Sequence, residues 1–155
     1  MENLALRKAS IKDHGALLTL EQKVIEAERP FNSTIRGENA IYYDLEQLLT
    51  NEDSHIVVAE RQGHIIATGY AQIRASKQSL KHVRHAYMGF MYVSPEYRGL
   101  GINQQVINSL IGWSKEKGVQ DFYLDVYIGN EAAINAYAKI GFVKSIIEMK
   151  INLSK

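Results

Sequence analysis

Residues 98–103 combine the side chains and backbone features in this chain that are best suited to bind an anion. The segment reads Arg-Gly-Leu-Gly-Ile-Asn. An apolar, β-rich run precedes it and an amphipathic run follows, so a tight turn joins a strand to a helix. The first amides of a helix have no intrahelical partner and lie at the positive end of its dipole, where phosphate binds. Gly99 and Gly101 let the backbone approach a bulky anion, and Arg98 adds a fixed positive charge.

Two common nucleotide-binding motifs are excluded at this turn. A phosphate loop of the ATPase type needs Gly-Lys followed by Ser or Thr, and that sequence is absent here. The dinucleotide fingerprint needs three glycines at its own spacing and a ribose-binding acid about 20 residues further on. Only two glycines occur in this turn, separated by one residue. The turn therefore predicts an anion site without identifying the anion.

A second segment places an asparagine, a tyrosine and a Gly-Phe pair in regular order. Asn130 follows an apolar, strand-like run, and Tyr137 lies seven residues further on within a helical pattern. Gly141 and Phe142 close that helix and open the next apolar run. A phenol in such a place can donate a proton during catalysis. From residue type alone, a core tyrosine on a helix face is the alternative.

Together the two segments resemble the GNAT family of N-acetyltransferases. Residues 98–103 resemble the acyl-CoA pyrophosphate loop of that family, whose pattern is Gln/Arg-x-x-Gly-x-Gly/Ala. Arg98 and Gly101 fit this pattern, whereas Asn103 departs from the final Gly or Ala but keeps its backbone N–H group. The second segment resembles the C-terminal signature of the family. The resemblance covers roughly residues 55–152 well, and the preceding third of the chain only by its element order.

The resemblance implies acetyl-CoA as co-substrate, no metal, and the GNAT acyl-CoA N-acyltransferase fold. In that fold the strands that end at Val93 and Tyr127 splay apart, and the pantetheine arm pairs with backbone groups of Met91 and Val93. Tyr137 matches the tyrosine that protonates the leaving thiolate. The cofactor-binding residues implied in this way are Met91, Val93, Arg98, Gly99, Leu100, Gly101, Ile102, Asn103, Asn130 and Tyr137.

We predict that His85 is the general base that takes the proton of the acceptor amine. Relatives often carry Glu or His early on the strand that leads into the pyrophosphate loop, and His85 occupies that place. His85 is separated from Met91 and Val93 by an even number of residues, and side chains alternate along a strand, so we predict that all three point to the same face of the sheet. The pKa of a histidine lies near working pH, which suits this role. The alternatives are a half-exposed strand histidine without a catalytic role, substrate binding by Tyr87, and a proton path through water.

Two regions give conflicting indications about the acceptor. Residues 28–44 mix acids with aromatic rings, which suits a cationic amine, although a solvated helix flank has the same composition. Residues 76–85 are basic, which is typical of a solvated hairpin tip or of a site for an anionic substrate or a CoA phosphate. We therefore expect a small-molecule or peptide amine and rank no candidate above the rest. The first region contains Glu28, Arg29, Phe31, Glu38, Tyr42, Tyr43 and Asp44.

Composition limits the class of protein. The chain of 155 residues has the size of one domain, which we place at residues 1–155. A formal net charge of +1 argues against general nucleic-acid binding. The absence of cysteine excludes disulfides and thiol nucleophiles, and the five histidines lack ligand spacing. No apolar run has the length of a membrane span, and residues 1–20 do not resemble a signal peptide. We therefore expect a cytoplasmic protein without membrane partners. A homodimer is possible.

The hydrophobic pattern predicts the element order β-α-α-β-β-β-α-β-α-β, which gives an α/β fold with a mixed sheet and helices on both faces. The GNAT fold has this order. The predicted strands cover residues 4–9, 55–60, 65–73, 83–93, 122–127 and 143–152, and the predicted helices cover residues 11–28, 41–49, 102–117 and 131–140. The near-continuous apolar run at 122–127 predicts a strand buried on both faces.

The sequence therefore predicts an acetyl-CoA-dependent N-acetyltransferase, which transfers the acetyl group by direct attack of a primary amine of a small molecule or peptide. The first alternative is a non-catalytic acyl-CoA-binding regulatory module on the same fold. The second alternative is an anion-binding α/β domain that is unrelated to CoA.

Overall fold

One five-stranded mixed sheet organises the fold. The computed structural model describes residues 3–155, and its strands lie in the order β1-β2-β3-β4-β5. The first four strands are antiparallel neighbours, and β5 is parallel to β4. The strands are β1 (Leu4–Lys8), β2 (Ser54–Arg61), β3 (His64–Ala75), β4 (Arg84–Val93) and β5 (Phe122–Tyr123). The helices are α1 (His14–Glu28), α2 (Leu45–Thr50), α3 (Ile102–Glu116) and α4 (Glu131–Ile140). The predicted α/β class with a mixed sheet is confirmed.

The chain divides into two compact units, one that ends at Asp125 and one that comprises Val126–Lys155. The first unit contains the whole sheet and α1 to α3. The second contains α4, which begins after Asn130 and ends at Gly141, where a φ of 121° favours glycine. A single domain over residues 1–155 stays a prediction. Within residues 3–155, no helix is both long and apolar enough to cross a membrane.

Helices cover both faces of the sheet in the first unit. On one face, α1 and α2 contribute Leu17, Leu20 and Leu48 to a buried cluster. The other face carries α3, because a β-carbon built at Gly69 of β3 would lie 3.0 Å from Val106 of α3. Gly69 is therefore needed where α3 packs closely on the sheet. The sheet residues in the buried cluster with α1 and α2 include Ile56, Val58, Tyr70, Phe90 and Tyr92.

Strand β4 contains a β-bulge at Phe90. The register between β3 and β4 changes between Thr68 and Tyr70, so that two β4 residues, Phe90 and Met91, lie opposite Gly69. Phe90 has a φ of 56°, which is uncommon for a residue with a side chain. It is nevertheless 2% exposed, so packing holds this backbone conformation in place.

The bulge reverses the alternation of side chains along β4. His85 lies opposite Arg74, whereas Val93 lies opposite Ala67, and these two positions of β3 point to opposite faces. Met91 points to the α3 face, since a β-carbon at Gly69 would meet its sulfur. The prediction that His85 shares a face with Met91 and Val93 is therefore wrong, because it assumed an unbroken strand.

Two predicted strands differ from the observed ones. The strand predicted at 122–127 is only Phe122–Tyr123, and Tyr123 is 38% exposed, so burial on both faces is wrong. Burial on both faces requires a ladder that continues, and pairing with β4 stops after two residues. Residues 143–152 form no strand, because residues 126–155, all of them described, contain no second strand to supply hydrogen-bond partners.

Candidate functional site

The turn that joins β4 to α3 has the geometry of an anion site. Gly99 and Gly101 have φ values of 80° and 79°, which side chains disfavour. A β-carbon built at either glycine would meet no atom within 4 Å, so open space lies beside this backbone. Gly101 is the N-cap of α3 and no side chain caps the first amides of the helix. These amides are therefore available to a phosphate.

Arg98 is fixed beside this turn. Its Nε donates to the carbonyl oxygen of Val93 at 2.9 Å, and its guanidinium lies 5.6 Å from the ring centre of Tyr92. Within residues 3–155, the side chain of Arg98 donates no hydrogen bond other than this one from Nε. The terminal guanidinium nitrogens are therefore left for an anion, to which they can donate in a forked arrangement.

The outer edge of β4 beyond Tyr87 has no neighbouring strand among residues 3–155, since pairing with β5 ends there. The Ser94 N–H donates to the carbonyl of Ile66 on β3, so alternation turns the N–H and C=O of Val93 toward the outer edge. Arg98 donates to one lone pair of the Val93 carbonyl oxygen. The N–H group of Val93 and the second lone pair of its carbonyl oxygen are left for a ligand. An extended ligand chain can therefore pair with this edge as a strand would.

Five aromatic residues surround the bulge on the α1 and α2 side, and we call them the aromatic cluster. Phe90 stacks on Tyr43 with ring centres 4.7 Å apart. Tyr43 meets Tyr42 and Tyr70 edge to face at 5.6 and 5.8 Å, and Tyr70 lies 6.4 Å from Tyr87. The sequence singled out Tyr42, Tyr43 and Tyr87 but not Tyr70 or Phe90. Gly89, directly before Phe90, is the one signal in the pattern that could have indicated the bulge.

A buried carboxylate positions the two tyrosines that come from the loop before α2. Glu21 of α1 is 1% exposed, and its Oε2 accepts the backbone N–H groups of Tyr42 and Tyr43 at 3.0 and 2.8 Å. The backbone of this loop is thereby attached to α1, and the ring of Tyr43 contacts Tyr70 and Phe90 of the sheet. Sequence reasoning missed Glu21, since a single acid in an amphipathic helix has no signature of burial.

Replacing Glu21 with Ala should lower the free energy of unfolding by about 2–4 kcal/mol, because it leaves two partly buried N–H groups without their acceptor. Denaturant unfolding measures the effect. Glu116→Ala, at an exposed position of α3, is the matched control and should leave the free energy of unfolding unchanged. An unfolding free energy within about 0.5 kcal/mol of the parent would contradict the role given to Glu21.

Glu28, the last residue of α1, places a partly buried carboxyl group next to the aromatic cluster. Burial raises its pKa, and the nearby hydroxyl of Tyr42 opposes part of that rise. The pKa of Tyr43 is raised far above its ordinary value, first by burial and then by the negative charge of Glu28. Tyr43 therefore stays a neutral phenol at physiological pH. The sequence included Glu28 among the acids of residues 28–44 but could not separate it from the others.

A pair of polar contacts holds Tyr87 at the other end of the aromatic cluster. Its hydroxyl donates to Oδ2 of Asp125 at 2.9 Å, and the guanidinium of Arg74 lies 4.2 Å from its ring centre. Burial, followed by the hydrogen bond with Asp125, raises the pKa of Tyr87. Tyr87 is thus fixed in place and uncharged. Asp125 was not predicted, because it lies in a run that the sequence pattern assigned to a buried strand.

His85 lies in a hydrogen-bonded cluster at the start of β4. The Oγ of Ser76 is 2.9 Å from Nδ1 of His85 and 2.7 Å from Nδ1 of His82. Nε2 of His82 is 2.8 Å from the hydroxyl of Tyr123. The single hydroxyl proton of Ser76 can be donated to only one of the two rings. Burial, followed by the charges of His82 and Arg74, lowers the pKa of His85.

The two predicted residues of the second unit occupy the predicted places on α4. The side chain of Asn130 caps the helix by accepting the N–H of Ala133 at 3.2 Å. Tyr137 lies in the last part of α4, and its ring contacts that of Phe142 edge to face at 5.9 Å. The predicted helix is thereby confirmed, and its cap by Asn130 is a finding of the structure, since the sequence placed Asn130 only after a strand-like run. The chemical role of Tyr137 stays a prediction.

Comparison with known proteins agrees with this geometry. The model of the acetyltransferase (GNAT) family matches residues 22–142. The thialysine N-epsilon-acetyltransferase of Mus musculus is 28% identical over 148 residues, which cover 91% of this chain and 85% of that protein. The N-alpha-acetyltransferase of Sulfurisphaera tokodaii is 29% identical over 110 residues, which cover 68% of this chain and 66% of that protein.

A solved structure shows the same fold. The predicted acetyltransferase of Clostridium acetobutylicum, crystallised with acetyl-CoA, matches with a TM-score of 0.76 and 22% identity over 97% of this chain and 96% of that chain. The open turn before α3, the free edge of β4 and the match of the family over most of the chain agree with one another. This protein belongs to the GNAT family of acetyltransferases.

Proposed function

We propose that the protein transfers the acetyl group of acetyl-CoA directly to a primary amine of a small molecule or peptide. The observation that carries the proposal is the open, uncapped turn at Gly99 and Gly101, next to the free edge of β4. Two relatives support an amine acceptor, since one is named for the ε-nitrogen of thialysine and the other for an α-amino group. A cytoplasmic location and the absence of nucleic-acid and membrane partners stay predictions from composition.

The proposed cofactor site follows the chain from β4 into α3. The pantetheine arm would pair with Met91 and Val93, and the pyrophosphate would accept the amides of residues 99–103 and the charge of Arg98. The amides of Leu100 and Ile102 belong to the same row as those of the two glycines. Asn103 adds a side-chain amide to the first turn of α3, where it can donate to a phosphate oxygen. The remaining proposed contacts are Asn130 and Tyr137, which rest on their place in the family motif.

The proposed reaction begins with a neutral amine, because only its lone pair can attack the thioester carbon. The C–N bond forms, the C–S bond breaks, and Tyr137 donates its proton to the departing thiolate. We propose that His85 takes the proton lost by the amine. His85 precedes Phe90 by five residues, which is on the order of 15 Å along a strand. A proton from an amine at the bulge would therefore reach His85 through water.

The pH profile tests the role of His85. The pKa of His85 is lowered from its ordinary 6.5. The neutral form, which can accept a proton, therefore already predominates at pH 6.5. The value of kcat/KM should therefore rise with pH through that lowered pKa and then level off. His85→Gln keeps the size and polarity of the side chain but cannot titrate, so this ascending limb should disappear. The exposed His64 provides a matched control, and His64→Gln should keep the limb. Persistence of the limb in His85→Gln would reassign His85 to a structural role in its hydrogen-bonded cluster.

Release of free CoA in the presence of amines tests the proposed function. The purified chain, acetyl-CoA and a panel of amino acids, diamines, aminoglycosides and peptides with free N-termini should give amine-dependent thiol release with at least one member. Variant Gly101→Asp serves as the negative control in the same assay. Binding of acetyl-CoA without amine-dependent release would instead favour the non-catalytic acyl-CoA-binding module.

A further inference from the structure

We propose that Glu28, together with the rings of Tyr42 and Tyr43, binds a second and non-reacting cationic group of the acceptor. The protein would then prefer diamines, including amino acids with a side-chain amine, over monoamines of the same length. This inference rests on the proposed function, because it concerns the acceptor of that reaction.

The first observation is that Glu28 lacks a cation of its own. It is partly buried, and among residues 3–155 no lysine or arginine forms an ion pair with it. The adjacent Arg29 is engaged elsewhere, since its Nε donates to Glu26 at 2.9 Å and its terminal nitrogen donates to the carbonyl of Arg36 at 2.8 Å. A carboxylate that is partly removed from water without a counter-charge favours a bound cation.

The second observation is the set of rings beside this carboxylate. Tyr42 is close enough to Glu28 for its hydroxyl to lower the pKa of that carboxyl group, and Tyr43 is close enough for the charge of Glu28 to raise the pKa of its phenol. The two rings meet edge to face at 5.6 Å. Neutral phenol rings attract a cation through their faces, and the raised pKa of Tyr43 keeps its phenol neutral at physiological pH. Glu28 therefore supplies the negative charge, and the rings supply a surface for an ammonium group and its carbon chain.

The charge at the two ends of the aromatic cluster differs. At the far end, Asp125 accepts the hydroxyl of Tyr87, and Arg74 lies over the ring of the same tyrosine. A positive charge thus already accompanies the carboxylate at that end. Glu28 lies at the end without such a charge, so a bound cation is directed to Glu28 and away from Arg74.

The third observation is that Tyr43 links the surroundings of Glu28 to the bulge. Tyr43 stacks on Phe90 at 4.7 Å, and Phe90 forms the bulge on the strand whose free edge would hold the thioester arm. One aromatic ring thus separates the surroundings of Glu28 from the bulge, which is about the reach of a short aliphatic chain. The nitrogen that attacks must be neutral, whereas the group at Glu28 is charged. The two are therefore different groups of one acceptor.

The test compares diaminobutane with butylamine, which have the same carbon chain. In the parent protein, kcat/KM should be about tenfold higher for the diamine, as expected for a cation held by a carboxylate and aromatic rings. Glu28→Gln keeps the shape and polarity of the side chain but removes the charge. This variant should bring the diamine down to the level of the monoamine and leave the monoamine and acetyl-CoA unaffected. Glu116→Gln, at an exposed position of α3, should keep the preference.

Three results would overturn the inference: no preference in the parent, a preference that persists in Glu28→Gln, or an equal loss with both amines, which would place Glu28 at the reacting nitrogen. Calorimetric titration of diaminobutane into the CoA-bound protein separates this inference from the proposed function. Binding that Glu28→Gln loses supports the inference even without turnover, and that combination would contradict only the proposed function. Absence of diamine binding to the parent would contradict the inference itself.

Discussion

Replacing Gly101 with Asp should abolish the binding of acetyl-CoA, which is the largest effect that we expect from a single substitution. Gly101 has a φ of 79° and caps α3, so an aspartate there adds both a strained side chain and a negative charge beside the proposed position of the pyrophosphate. In the parent, acetyl-CoA at 100 times its Kd should stabilise the fold by about 2.7 kcal/mol. For a chain of this size that corresponds to a rise in Tm of roughly 5–10 °C. The variant should show no rise in a thermal-unfolding assay.

The hairpin between β2 and β3 offers a matched control for this substitution. Gly63 also has a φ of 79°, and a β-carbon there would likewise meet no atom within 4 Å. Gly63→Asp therefore introduces the same backbone strain and the same charge away from the proposed site. It should lower the Tm of the free protein as Gly101→Asp does but keep the rise with acetyl-CoA. A full rise in Gly101→Asp would show that the turn does not hold the pyrophosphate.

Replacing Tyr137 with Phe should lower kcat by about 10²-fold, which is the low end of the range for general acid catalysis. The substitution removes only the hydroxyl group, because the ring can keep its edge-to-face contact with Phe142. The Tm and its rise with acetyl-CoA should therefore match those of the parent. Steady-state kinetics with any accepted amine measures the effect. An unchanged kcat would assign Tyr137 to packing within the second unit.

Positions whose residue type is dictated by the backbone could be predicted from the sequence. Gly99 and Gly101 have positive φ values, and a strand before them and an amphipathic helix after them are visible in the pattern. Asn130 caps α4 as its residue type suggests, and Gly141 ends the helix. These residues define the turn and the helix that carry the family resemblance, so the fold class followed from them.

Features that depend on contacts between distant residues could not be predicted in this way. The bulge reversed the predicted face of His85, because Gly89 beside Phe90 was not interpreted as the sign of a bulge and the positive φ falls on Phe90 itself. The carboxylate of Glu21 accepts amides that lie 21 and 22 residues further along the chain, for which no local pattern exists. The alternation at 143–152 has the period of a strand, but alternation specifies the face of a strand and not the neighbour that it requires.

The most direct test of the proposed acetyltransferase activity follows the acetyl group itself. Acetyl-CoA with an isotopically labelled acetyl group is incubated with the purified chain and a diamine such as lysine or diaminobutane. The products are then separated, and their masses are measured by mass spectrometry. We predict that the label appears on a nitrogen of the amine in step with the release of free CoA. Release of CoA with the label recovered only as free acetate, or a labelled amine at the same level in Gly101→Asp, would contradict the assignment.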